Sequence, residues 1–161
     1  MAIGQHHTTA KTETEWLTPP WILEELGPFD TDPCSPSQSP WKTARTMYSC
    51  FDNGLNMPWF GRVWLNPPYD HNKMWNWFDK LYRHGNGIAL IFARTETEGF
   101  FRWIWNRADS ILFIKGRLYF YHLDGTKAKA NSGGPSVLIA YGKNNSEILA
   151  RSNIQGKYLN L

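Results

Sequence analysis

Three large apolar residues run into two prolines at Val63-Trp64-Leu65-Asn66-Pro67-Pro68-Tyr69. The apolar triplet reads as the end of a strand buried on both faces, and the prolines forbid the strand to continue. Proline fixes its own φ and disfavours helix in the residue before it, so Asn66 and Pro67 are both held extended. The chain therefore leaves a buried strand through a stiff turn carrying Asn66 and Tyr69. Open α/β sheets bind their ligands beyond the carboxyl ends of such strands.

The turn offers an amide oxygen from Asn66, a backbone carbonyl from Pro67 and the aromatic face of Tyr69. An exocyclic amine on a planar base has two hydrogens to donate and a ring to stack, so these parts suit it. The alternative is plainer: Asn66 as a turn residue and Tyr69 as packing.

The flanking sequence reads as strands alternating with helices. Thr18 is placed to cap a helix over 19–26, with Pro19 in its first turn and Gly27 closing it. A short strand over 29–34 ends at Asp32-Pro33, where Asp32 can accept from a ligand's hydroxyl or ammonium groups or simply make an Asp-Pro turn. Residues 35–61 hold Pro36, Pro40, Gly54 and Pro58, and only 47–51 is strand-like. That length is too short for two helical crossovers with their strands, so a compressed connection is expected, with Asp52-Asn53-Gly54-Leu55 as its turn.

Beyond the proline turn, Asp70 or Asn72 can cap a helix bearing Met74, Trp75, Phe78, Leu81 and Tyr82, which Gly85 stops. An apolar strand over 88–93 follows. Thr95 and Glu98 match a capping box for a helix whose face is Phe101, Ile104, Trp105 and Ala108. Strands are expected at 111–114, 118–121 and 137–141, with a Lys115-Gly116-Arg117 kink and a loop from Leu123 to Gly134 between them. The remaining carboxyl-terminal residues are polar and weakly patterned. The order predicts an α/β sheet with an antiparallel end.

At 161 residues the chain is expected to form one domain over 16–161, with a polar tail over 1–15. His6 and His7 in that tail have no third ligand nearby, and no metal site is expected. The two cysteines show no metal-binding spacing and fit a reducing compartment. With no spanning run and no signal-peptide pattern, the expected place is the cytoplasm, away from membranes. A net charge of +3 permits a nucleic-acid partner without requiring one. Of the aromatic residues, which include nine tryptophans, part must build the core and a surplus could line a base-stacking pocket; the Trp75, Trp77, Trp103 and Trp105 set is mostly core by spacing.

Asn66-Pro67-Pro68-Tyr69 matches the motif of methyltransferases that act on adenine N6, cytosine N4 or a glutamine amide. Several further pieces occur in the order found in phage and prophage DNA N6-adenine methyltransferases of the Dam-like group. They are Trp16-Leu17-Thr18-Pro19, Phe29-Asp30-Thr31-Asp32-Pro33-Cys34, Asp52-Asn53-Gly54-Leu55, Arg94-Thr95-Glu96-Thr97 with Phe100-Phe101, and Phe113-Ile114-Lys115-Gly116-Arg117-Leu118-Tyr119-Phe120. The chain resembles that family over most of its length.

The resemblance implies a Rossmann-like methyltransferase, a compact mixed sheet with helices on both faces, using S-adenosylmethionine on double-stranded DNA. Thr18, Pro19, Asp30, Asp32 and Pro33 are implied along the cofactor, and Asp52 at its adenosine end. Asn66, Pro67, Pro68 and Tyr69 are implied as the catalytic loop. Lys115, Arg117, Lys127 and Lys129 are the residues expected to meet phosphates, each with a solvated charged face as the alternative. Arg94 is expected either at a base or in a structural pair.

One departure stands out: no glycine-rich loop follows the first strand, where Pro33-Cys34-Ser35-Pro36 stands instead. Two rival functions stay open, a methyltransferase on RNA or a protein glutamine and a non-catalytic nucleic-acid-binding relic.

Overall fold

A computed structural model describes residues 15–70 and 73–161. The tail assigned to 1–15, with His6 and His7, lies outside them except for Glu15, as does the expected cap Asn72.

Among the described residues the fold is a seven-stranded mixed sheet with four helices. The strands are β1 (Thr31–Asp32), β2 (Thr46–Met47), β3 (Val63–Leu65), β4 (Gly87–Phe92), β5 (Ser110–Ile114), β6 (Ser136–Tyr141) and β7 (Gly156–Asn160), in the order β2-β1-β3-β4-β6-β5-β7. Strands β1 to β4 are parallel, whereas β6 is antiparallel to both β4 and β5, and β7 is antiparallel to β5. Two antiparallel steps bring β5 back to the direction of β4, so the carboxyl ends of β1 to β5 share one edge.

Period-two alternation sorts the core. Val63, Leu65, Ala89, Ile91, Val137 and Ile139 face α2 (Met74–His84) and the helical segment after β4, through Phe78, Leu81, Phe100 and Ile104. Trp64, Ile88, Leu90, Leu138 and Ala140 face α1 (Pro20–Leu26) and α4 (Lys143–Arg151), through Ile22, Leu26 and Leu149. Helices thus cover both faces, as expected. The segment after β4 is α3 (Glu98–Phe100), continued by a π-helical turn, Phe101–Trp105.

Gly85 closes α2 at φ 71°, the left-handed stop expected there, while Lys73 stands at the amino end in place of Asp70. Four other expectations are corrected. Pro19, not Thr18, stands at the cap of α1, and the Thr18 side chain makes no cap hydrogen bond. The cap of α3 is Thr97, whose Oγ1 accepts from Phe100 N at 3.3 Å, so the Thr95–Glu98 box is not used.

The stretch 118–121 is not a strand of the sheet. Its backbone bonds go instead to its own loop, Ala128 N to Phe120 O at 2.9 Å and Ser132 N to Leu118 O at 2.7 Å, and to Leu17 through Tyr121. Finally, the weakly patterned end holds α4 and β7. The strand β7 is an edge strand exposed on most positions, so it carries no apolar alternation to read. No helix among the described residues is long and apolar enough to cross a membrane.

Candidate active site

The chain goes from β1 outward to β2, then returns to β3 on the other side of β1. Sheet order reverses between β1 and β3, and a crevice opens beyond the carboxyl ends of strands at such a point. A cavity of about 1010 Å³ lies there. Its lining joins segments distant in sequence: Thr18 before α1, Asp32 at the end of β1 with Pro33 and Cys34, residues 49–51 with Asn53 and Gly54, the Asn66–Tyr69 loop, and Phe120 with Ala128 and residues 130–132.

The Asn66–Tyr69 loop enters the cavity because β3 ends at Leu65 and two prolines follow. Asn66 Nδ2 donates to Thr18 Oγ1 at 3.3 Å. Its Oδ1 has no hydrogen-bond donor among the described residues, and neither does the Pro67 carbonyl. The Tyr69 ring stacks on Phe92 at the end of β4, centroids 4.8 Å apart and planes 23° apart, and remains 46% exposed.

Asp32 closes β1 and is 1% exposed. Its Oδ1 accepts from Cys34 N at 3.0 Å and its Oδ2 from the Thr43 hydroxyl at 2.5 Å. Burial pushes its pKa up from 3.8 to about 7, against the lowering effect of those two hydrogen bonds. The Cys34 thiol is held well above its usual range by burial and by Asp32, so it is no nucleophile at neutral pH.

Across the mouth, Glu15 accepts from Ser37 N at 3.3 Å and from the Ser37 hydroxyl at 2.5 Å. The floor depends on Gly54: a Cβ there would sit 1.9 Å from the Pro33 carbonyl oxygen, so only glycine lets the 49–54 turn pack on the end of β1.

Of the residues singled out in the sequence, Thr18, Asp32, Pro33, Asn66, Pro67, Pro68 and Tyr69 line this one cavity. Pro19, Asp30 and Asp52 do not. Asp30 lies at the opposite, amino end of β1, where its Oδ2 accepts from Arg62 N at 2.8 Å. Asp52 closes its own turn by accepting from Ser49 N at 2.8 Å and the Ser49 hydroxyl at 3.0 Å.

Lys115, Arg117, Lys127 and Lys129 are exposed on the loop joining β5 to β6, at the same edge as the cavity, and Arg94 is exposed just beyond β4. None of these five forms an ion pair among the described residues. Lys127 Nζ lies over the Tyr119 ring, 4.9 Å from its centroid.

The lining also includes Glu15, Thr43, Phe51 and Phe92, which the sequence reading did not single out. Phe92 carried a signal, as the last apolar residue of a strand ending beside the proline turn. The other three sit in irregular segments and carried none.

The family model described as DNA N-6-adenine-methyltransferase (Dam) matches residues 5–157. The chain belongs to the Dam family. The resemblance drawn from its motifs is thereby borne out, and methylation of adenine N6 in DNA is the activity that membership brings. No curated protein and no solved structure matches the chain. Within this Dam-family chain, the motifs at 16–19, 29–34 and 64–69 converge on the cavity, and the mixed α/β sheet is compatible with a methyltransferase fold.

Proposed function

We propose that this Dam-family protein is a Rossmann-like, S-adenosylmethionine-dependent enzyme that methylates N6 of an adenine extruded from duplex DNA. The observation that carries the reading is the meeting of Asn66, the Pro67 carbonyl and Tyr69 in the switch-point cavity, with both acceptor oxygens unengaged among the described residues. At about 1010 Å³ the cavity is at the upper limit for one small ligand, which suits a cofactor and a base together.

The lining fits the cofactor chemically. Asp32 and Glu15 are acidic partners for a ligand bearing sulfonium and ammonium charge, and the hydroxyls of Thr18 and Ser35 are donors for its carboxylate. Phe51, 86% exposed at the rim, offers a face to its adenine ring. With no glycine-rich loop after β1, these contacts come from side chains. Pro19, Asp30 and Asp52 have no part in this proposal. S-adenosylmethionine supplies a methyl group on a sulfonium, an electrophile that needs no activation by the protein.

The protein's work is then positional. Extruding the base costs a few kcal/mol of pairing and stacking, offset in part by stacking on Tyr69. Asn66 Oδ1 and the Pro67 carbonyl accept the two amine hydrogens, turning the nitrogen lone pair out of conjugation with the ring. The same oxygens stabilise positive charge as it develops on nitrogen. No strong base is required, because a methylated ammonium is acidic. Lys115, Arg117, Lys127 and Lys129, with Arg94, have no ion-pair partner among the described residues and supply phosphate contacts at the same edge.

The test is incubation with labelled S-adenosylmethionine and unmethylated DNA, followed by digestion and identification of the labelled nucleoside. Label in N6-methyl-2′-deoxyadenosine supports the proposal. Label in N4-methylcytosine keeps the mechanism and changes the base. Cofactor binding with no label in DNA refutes DNA as the substrate.

A further inference from the structure

Thr18 and Asn66 are 48 residues apart in sequence, yet the Asn66 Nδ2 donates to the Thr18 hydroxyl at 3.3 Å. Thr18 is 3% exposed, and its side chain is not used to cap α1. Its hydroxyl is therefore withheld from the backbone beside it and given to the catalytic loop.

A primary amide has nearly the same shape when turned through 180°, so packing alone does not distinguish its oxygen from its nitrogen. The chemistry does distinguish them. Only the oxygen accepts from an amine, and the reversed amide would set donor against donor. Pro67 restricts the Asn66 backbone but not this side-chain torsion. The polar partner that breaks the symmetry is Thr18.

A hydroxyl can accept or donate, and it selects the Asn66 nitrogen only while its own proton is engaged elsewhere. No acceptor among the described residues takes that proton, and Thr18 lines the cavity. An acceptor atom bound there would take it, leaving Oγ1 able only to accept.

We infer that Thr18 is a positioning residue that holds the Asn66 amide with its oxygen toward the target amine, more firmly when a cavity ligand takes the Thr18 proton. The inference deepens the proposed function and rests on it for the identity of the amine. It couples occupation of the cofactor half of the cavity to readiness of the base half.

The experiment compares Thr18→Val, which keeps the shape and removes the hydroxyl, with Thr18→Ser, which keeps the hydroxyl. Methyl-transfer kinetics are read beside calorimetric titration with S-adenosylhomocysteine and hydrogen exchange of the Asn66 side-chain amide by nuclear magnetic resonance, the signal being assigned by its loss in Asn66→Ala. In Thr18→Val, kcat is expected to fall about tenfold or more, the scale of one lost hydrogen bond, with KM for DNA nearly unchanged. Thr18→Ser is expected to restore kcat to within about threefold, on the same scale.

Exchange of the Asn66 amide is expected to be slow in the wild type, slower still with S-adenosylhomocysteine, and fast in Thr18→Val with or without it. Wild-type kcat in Thr18→Val, a loss that serine does not rescue, or amide exchange indifferent to Thr18 each overturns the inference. Should Thr18→Val fail to fold, the wild-type response to S-adenosylhomocysteine and the serine variant decide it. A wild type that methylates no DNA refutes the proposed function, whereas the exchange measurement still judges the positioning by itself.

Discussion

Replacing Asp32 by asparagine is expected to make the protein more stable above neutral pH, the difference growing as pH rises. Asp32 is buried at 1% exposure, with a pKa raised from 3.8 to about 7. A carboxyl whose pKa is raised on folding contributes its full stability below the unfolded value and loses it as pH rises through the folded value. The interval from 3.8 to about 7 corresponds to a ceiling of about 4 kcal/mol, reached above pH 7.

Asparagine carries no charge, keeps an oxygen for Cys34 N, and offers an NH2 to which the Thr43 hydroxyl can turn as acceptor. A loss of about 2 kcal/mol in hydrogen-bond geometry is the same at every pH, so a gain of about 2 kcal/mol is expected at pH 8, turning into a deficit of similar size at pH 4. For a chain of this length that gain raises Tm by about 6 °C. Urea unfolding of both proteins at pH 4, 5, 6 and 8 measures it, and the difference between them cancels the other titrating groups. A variant less stable by the same amount at every pH would refute the reasoning, since Asp32 would then be a needed acceptor with no charge to bury. Cofactor affinity is expected to fall in the same variant, the pattern of a site kept for function at the expense of stability.

Three further outcomes follow from the site. Affinity for S-adenosylmethionine is expected to rise with pH through about 7, because a cationic ligand binds better to ionised Asp32; titrations from pH 5.5 to 8.5 should give a flat profile in Asp32→Asn. Asn66→Ala is expected to reduce methyl transfer by at least about a hundredfold while S-adenosylhomocysteine binding stays within about threefold, measured by single-turnover kinetics and calorimetry. The double change Lys127→Gln and Lys129→Gln is expected to weaken DNA binding and lower the salt slope of log K by about 0.9 for each phosphate left without its cation, read from fluorescence anisotropy over a salt series.

The proline turn was legible in the sequence because its cause is local: proline restricts its own backbone and that of its neighbour, whatever the rest of the chain does. The helix α2 was legible because Phe78 and Leu81 repeat at helical spacing and Gly85 takes a left-handed conformation. The strand β4 was legible as an unbroken apolar run. Where the causes were not local, reading failed. Thr18 looked like a cap, but its hydroxyl is taken by a residue far along the chain. Residues 118–121 have strand-forming side chains, yet their backbone pairs within their own loop and with Leu17. The strand β7 lies exposed at an edge and shows no apolar alternation, and the buried face of α4 includes Asn145 and Ser146 beside Leu149, so it does not read as an apolar stripe.

The sequence by itself determined the chemistry on offer: an asparagine and a proline carbonyl as acceptors, an aromatic ring beside them, and an aspartate ending another strand. Only the tertiary structure decided that these groups share one cavity. Strand order does this, because returning from β2 to the far side of β1 sets the ends of β1 and β3 next to each other. It also decided which acids matter: Asp32 is desolvated in the cavity wall, whereas Asp30 and Asp52, also singled out in the sequence, accept from Arg62 and Ser49 and do not line the cavity. Local torsional preferences act over a few residues and can be read directly. Burial and convergence are set by which strands lie side by side, and no short stretch contains that information.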